Sequence, residues 1–411
     1  MTTEGLIALS SALLLVAFVL YALSMVAFVV AITGKRWAGR DPRENARRMG
    51  RLGYAMAALG VAAQTGYIVT RWIAGGHIPV SNMFEFIVFL GFAIALAFLI
   101  LYRIYRVPAL GVFVMLLDVL MIAYGAVFPR EVTPLIPALQ SYWLYLHVTT
   151  AALGEGAFAV GFAAGLMYLV RTVRQDHPSA QARWLEVALW VVLAVLAFVA
   201  LSFTFAALDK ETVFRFPDPN AKPGEERMVE TVYTLPSLVG PKDAEMVKVG
   251  YFKPLVEAPG WMKGKDAAKK LNTLVWSVLG GLAVYGVLRL WARRRLGAVL
   301  QPTLRDVEPE LLDEISYRAI AIGFPIFTLG GLIFAMIWAH EAWGRFWGWD
   351  PKEVWALIVW LFYSAYLHLR LSRGWHGLRS AWLAVVGFIV VMITLVVVNL
   401  VIVGLHSYAG V

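Results

Sequence analysis

Ten stretches of this 411-residue sequence are apolar for long enough to cross a lipid bilayer. They lie near 5–33, 52–72, 84–102, 109–128, 143–170, 185–207, 272–292, 317–339, 353–371 and 380–405. A helix needs roughly 20 apolar residues to traverse a hydrocarbon core about 30 Å thick. In lipid, a lone spanning segment must also satisfy its own backbone hydrogen bonds, which only a helix does. The fold class follows: an all-α polytopic membrane protein of about ten transmembrane helices. Composition agrees, with 60% hydrophobic and only 15% charged residues. The first stretch, Leu6 to Ile32, has no basic segment before it and is too long for a signal-peptide core, so it reads as a membrane helix.

Lysine and arginine are divided unevenly between the loops. One side collects those of 35–51, 103–106, 171–183, 289–318 and 370–379, whereas the short loops and helix ends of the other side hold only Arg71, Arg130, Arg345 and Lys352. The positive-inside rule then places both termini on the outer side, and the net charge of +9 is a topology signal rather than a nucleic-acid one. The long connection 208–271 falls outside and is rich in lysine, but long loops cross membranes regardless of charge. Its many prolines and the strand-like stretches Val229–Leu235 and Met246–Phe252 predict a small folded cap or a partly ordered arm. The chain accordingly divides into 1–207 with six helices, 208–271 as an external insertion, and 272–411 with four.

Trp338 to Trp360 is the most unusual segment, with tryptophan at 338, 343, 347, 349, 355 and 360. Tryptophan collects at membrane interfaces because its ring is apolar and its N–H wants a partner. Six together, with Gly344 and Gly348 between them, would also make a shelf for a large, flat, apolar ligand. Asp350, Pro351, Lys352 and Glu353 read as N-cap, N1, N2 and N3 of a helix, the carboxylates closing a box-like cap.

The histidines add a second signal. His147 opens the fifth helix at its outer end and His406 closes the tenth at the same level. Two imidazoles from different helices, with an aromatic shelf between them in sequence, suit axial ligation of a haem from opposite faces. His368 lies deeper, 15 residues into the ninth helix and so roughly 22 Å inward at 1.5 Å per residue, where a titratable side chain suggests function. His340 sits within the shelf and His77 in an outer loop. Glu85, Asp118 and Glu155 lie inside apolar helices, and their burial cost demands partners. The chain has no cysteine and so cannot itself hold haem covalently.

The run Trp343-Gly344 through Trp347-Gly348-Trp349-Asp350-Pro351-Lys352-Glu353 resembles the tryptophan-rich WWD signature of haem-handling proteins in cytochrome c maturation. The chain looks most like the CcsA/ResC type of System II. Gly76-His77-Ile78-Pro79-Val80-Ser81-Asn82, Leu146-His147-Val148, Tyr366-Leu367-His368-Leu369-Arg370 and Gly404-Leu405-His406-Ser407-Tyr408 match as well. The agreement is dense over about 315–411 and patchy over about 70–170.

The resemblance implies haem b as transported ligand. His147 and His406 match the external haem ligands, His368 the histidine within the membrane, and Trp343, Trp347, Trp349 and Asp350 the cofactor-facing loop. It implies a CcsB/ResB-type partner, an apocytochrome c client and residence in a bacterial cytoplasmic (inner) membrane with the WWD loop outside. The helices at 185–207 and 272–292, with their loop, look like an insertion relative to short family members. Three other readings compete. One is a WWD-type protein that loads a haem chaperone, the second a haem b electron-transfer subunit, and the third a transporter with an aromatic belt.

Overall fold

The structure is a computed structural model and describes residues 2–34, 41–132, 134–135, 137–217, 227–260, 262 and 266–398. Ten described helices are long and apolar enough to cross a membrane, one at each place the sequence predicts. Helices α1 (Thr3–Thr33), α2 (Pro42–Gly75), α3 (Met83–Tyr105), α4 (Pro108–Gly125), α5 (Tyr142–Thr172) and α6 (Ala180–Ala207) precede a small β region. Helix α7 (Ala267–Ala292) and the short α8 (Leu296–Leu300) follow it. Helix α9 (Pro309–Phe327) continues through a π-helical segment, Thr328–Phe334, into α10 (Ala335–Trp343). The chain then forms α11 (Pro351–Arg373) and α12 (Leu378–Met392), the latter extended by a second π segment, Ile393–Val398.

Two helices start eight or more residues earlier than hydropathy predicts. Helix α2 begins at Pro42 rather than near 52, because Asp41 caps it, Pro42 fits its first turn and the polar run after it still favours helix. Helix α9 begins at Pro309 rather than near 317, and its first turns are amphipathic, burying Leu312 and Ile315.

The described residues form two compact units, one drawn from 2–182 and 297–393, the other from 183–296 and 394–398. The first is organised around α5, which packs against α3, α4, α9 and α12. Small residues on α5 allow this. A Cβ at Gly154 would stand 2.7 Å from the Phe327 backbone nitrogen, and one at Gly156 would stand 2.6 Å from the Ala93 carbonyl carbon. Without a hydrophobic drive between helices in lipid, such close approach supplies packing enthalpy instead. At one end of this unit, Arg370 donates to Asp313 at 2.7 Å and to Ser380 at 3.0 Å, joining α9, α11 and α12.

The second unit contains α6, α7 and the strands between them. Strands β1 (Thr212–Pro217), β2 (Met228–Tyr233) and β4 (Glu245–Lys248) form an antiparallel sheet in the order β2-β1-β4, and β3 (Val239–Gly240) pairs in parallel with β5 (Val256–Glu257). One sheet face buries Phe214, Phe216, Val229 and Tyr233, with Ala244 and Met246 against them. The segment is thus a small folded cap. Of the predicted strand 246–252, only the part to Lys248 is strand, because the chain turns away at Val249-Gly250. A Cβ at Gly281 of α7 would stand 2.7 Å from the Ala194 Cα of α6, so these two helices also pack at close range.

Candidate functional site

Helix α5 is capped by Ser141, whose hydroxyl accepts from the Trp143 amide at 3.1 Å and donates to Glu341 of α10 at 2.9 Å. This ties the first turn of α5 to the last turn of α10. Trp143 and Phe334 pack beside it with centroids 5.8 Å apart. His147 lies on the next turn of α5.

Gly330 and Trp338 of the α9–α10 span flank the His147 ring. Its Nδ1 lies 2.9 Å from the Gly330 carbonyl oxygen, and its face stacks on Trp338 at 5.9 Å and 13°. A carbonyl only accepts, so Nδ1 carries the proton and the lone pair of the neutral ring lies on Nε2. Gly330 sits in the π segment, where the regular ladder is interrupted. A Cβ there would collide with the Ala151 backbone nitrogen of α5. Only glycine lets the two backbones approach closely enough for this hydrogen bond. Gly330→Ala is therefore expected to cost about 1–3 kcal/mol as an overpacking change, read as a lower unfolding temperature in detergent. A Gly330→Ala protein as stable as the wild type would show that α5 and the π segment do not hold this separation.

The tryptophans beyond Trp338 do not lie in one plane. Trp338 meets Trp343 at 4.8 Å and 65°, and Trp347 meets Trp349 at 5.9 Å and 87°. Edge-to-face pairing suits the ring quadrupoles better than a flat shelf. Trp349 has φ +56°, unusual for a bulky residue, and is 71% exposed. Next to it the expected capping box is present: the Asp350 side chain caps α11, while the Glu353 carboxylate accepts from the Gly348 amide at 2.7 Å and the Asp350 amide at 3.1 Å. Asp350 is buried in this cap. Arg345 lies so close to Gly348 that a Cβ there would stand 2.9 Å from the guanidinium.

The other histidines disperse. His340 stacks on Phe346 at 4.2 Å and 8°. His77 is buried, its Nδ1 lying 3.1 Å from the Ile78 carbonyl. His368 lies on α11 opposite the buried stripe Val359, Tyr363, Tyr366 and Arg370, so it faces away from the packed interior of the first unit. The structure does not bring His368 to His147. His406 and Asn399 lie outside the described residues.

Arg71 is already engaged. It donates to Glu85 at 2.8 Å and to the Arg130 carbonyl at 2.9 Å, with the two side chains only 3% and 1% exposed. Its guanidinium is thus occupied within the first unit. Glu85 also accepts from the Ser81 amide and hydroxyl at 3.0 and 2.7 Å. The carboxyl oxygens of Asp118 and one of Glu155 are buried without a hydrogen-bond partner among the described residues. Gly330 is the site residue that sequence reasoning did not single out, and Trp338, named there only as part of the tryptophan cluster, is the ring that stacks on His147. The signal available was a Gly-Gly pair in the middle of an apolar helix.

These features define a polytopic helical membrane protein with a histidine and tryptophan site at one end of its bundle. The family model described as "Cytochrome C assembly protein" matches residues 80–210 and 271–406. The chain belongs to this cytochrome c assembly family. It is 30% identical over 365 residues to the "Cytochrome c biogenesis protein CcsA" of Gloeobacter violaceus, covering 87% of this chain and 86% of that protein. It is 33% identical over 373 residues to the protein of the same name from Nostoc sp., covering 88% of each. The family match runs through α6 and α7 and leaves out 211–270.

Proposed function

We propose that this protein is the haem-carrying and haem-presenting subunit of a membrane cytochrome c synthase. Haem is its cargo. It is taken up at His368, crosses the membrane and is held on the outer side by His147 and His406, with Trp343, Trp347 and Trp349 lining the loop beside it. The observation that carries this reading is His147: a ring turned by its Nδ1–H bond to Gly330 and by the Trp338 face, with its lone pair on Nε2. An outer hydrogen bond of this kind is what orients a metal-ligating imidazole and raises its basicity. Asp350 acts through the cap that shapes the loop rather than by touching haem.

His368 suits a different task. Its outward position on α11 makes it available to a haem shared with a second membrane chain, which supports a CcsB/ResB-type partner. The client is an apocytochrome c. Its cysteine thiols add across the haem vinyl groups, each addition forming one S–C bond and moving the thiol proton to the neighbouring vinyl carbon. Those thiols come from the client, since this chain has no cysteine. The distribution of basic loops supports a bacterial cytoplasmic membrane with both termini and the WWD loop outside.

Absorption spectra of the purified protein, co-expressed with the partner, test the reading. Reduced wild-type protein is expected to show low-spin six-coordinate haem. His406→Ala is expected to convert the outer haem to another coordination state, and His368→Ala to lower total haem. Absence of haem from every preparation would leave the aromatic-belt transporter. Haem that never transfers to a client would favour an electron-transfer subunit, and transfer to a chaperone alone the delivery protein.

A further inference from the structure

The cap is fastened to its own membrane helices by specific bonds. Asn272 of α7 is buried; its Oδ1 accepts from the Leu238 and Val239 amides at 2.8 and 3.0 Å, and its Nδ2 donates to the Pro236 carbonyl at 3.1 Å. Trp276 Nε1 donates to the same carbonyl at 2.7 Å. Phe205 of α6 meets both Trp276 and Tyr251. The Leu255 and Val256 amides then donate to the Leu238 carbonyl at 3.0 and 3.2 Å. Residues 252–256 are therefore one strand spacing from the segment clamped to Asn272.

Asn272 has a definable depth. Helix α7 has 26 residues, about 39 Å at 1.5 Å per residue, which exceeds a hydrocarbon core of about 30 Å. Lys269 and Lys270 at its start and Arg289 near its end mark the two headgroup levels. Asn272 follows directly inside the first, at the edge of the hydrocarbon. At that level the cap exposes Phe252 by 38%, Leu255 by 72% and Val256 by 57%, with Lys253 exposed among them. Three exposed apolar side chains within five residues are poorly suited to open water.

We infer that Phe252, Leu255 and Val256 form a membrane-seating surface of the cap, buried in the interfacial layer of the leaflet from which α6 and α7 emerge. Three observations favour lipid as the occupant. The cap is joined to spanning helices at both ends, its apolar strip lies at the level of Asn272, and Phe205, Tyr251 and Trp276 surround that level as an interfacial aromatic belt does. Lys253 is placed to meet anionic headgroups. The seating holds the cap's sheet at a fixed height above the bilayer.

The chain lacks cysteine, so Leu255→Cys takes a single fluorophore without removing native thiols. Leu255 is largely exposed, and the change leaves the cap's buried core intact. The labelled protein in vesicles of zwitterionic and anionic phospholipid is exposed to lipid-borne nitroxide and to aqueous iodide, with Leu282→Cys, an exposed position of α7 between the two headgroup levels, as reference. Strong nitroxide quenching is expected, with iodide quenching several-fold below that of the free cysteine adduct. Iodide quenching equal to the free adduct would show a strip in water. Protection from both quenchers would show a strip covered by protein. Either result overturns the inference.

Discussion

Cytochrome c carrying covalent haem is expected to be undetectable in cells whose only copy of this protein is His147→Ala. The purified variant should hold at least about tenfold less outer haem, since even loss of an outer-sphere partner costs 10–100-fold at metal sites. Alanine also strands the Gly330 carbonyl, a cost of about 1–3 kcal/mol that concerns folding rather than ligation. His147→Gln separates the two. Its side-chain amide offers an N–H where the imidazole did but no comparable iron ligand. It is expected to restore the unfolding temperature and leave maturation abolished. Normal holocytochrome c in His147→Gln would refute the ligand role and leave His147 as a helix-packing residue.

Glu85→Ala is expected to give the largest loss of stability. It leaves the Arg71 guanidinium buried in the first unit with its carboxylate removed, and breaking one side of a buried pair costs about 3–5 kcal/mol. The variant should unfold at markedly lower temperature in detergent and accumulate poorly. Glu85→Leu combined with Arg71→Leu should recover most of the loss, because replacing both buried charges by apolar groups is close to neutral. If the double variant is as unstable as the single one, the pair is not the cause. If it is stable but loses haem, Arg71 has a role toward the cargo beyond its bond to Glu85.

The helices were legible because the bilayer sets a minimum apolar length, and every described span meets it. The capping box at Asp350 was legible because its residues are adjacent and its chemistry is local. The early starts of α2 and α9 were hidden because their first turns are polar and hydropathy sees only the part in lipid. The partners of Arg71 and His147 were hidden for a different reason. Glu85 is 14 residues from Arg71 and Gly330 is 183 from His147. Such pairings depend on how helices are arranged, which no local pattern encodes. The π segment that presents Gly330 has the composition of any apolar helix. The tryptophan cluster was visible, but the edge-to-face angles of its rings were not.

The glycines of α5 and its neighbours bear on how this gene would tolerate random change. At 154, 156, 161 and 330, any side chain meets backbone or buried atoms of a neighbouring helix at once. Leu290 and Trp291 on α7 are 80% and 79% exposed among the described residues. A library of single substitutions scored by survival on a cytochrome c-dependent carbon source would therefore be sharply lopsided. Loss-of-function alleles would crowd onto the residues with the smallest side chains, many of them a full helix turn or more from the histidines. Some of the largest side chains in the protein would change almost without trace. A reader of such a map who equated sensitivity with chemistry would assign the active centre to the wrong part of α5.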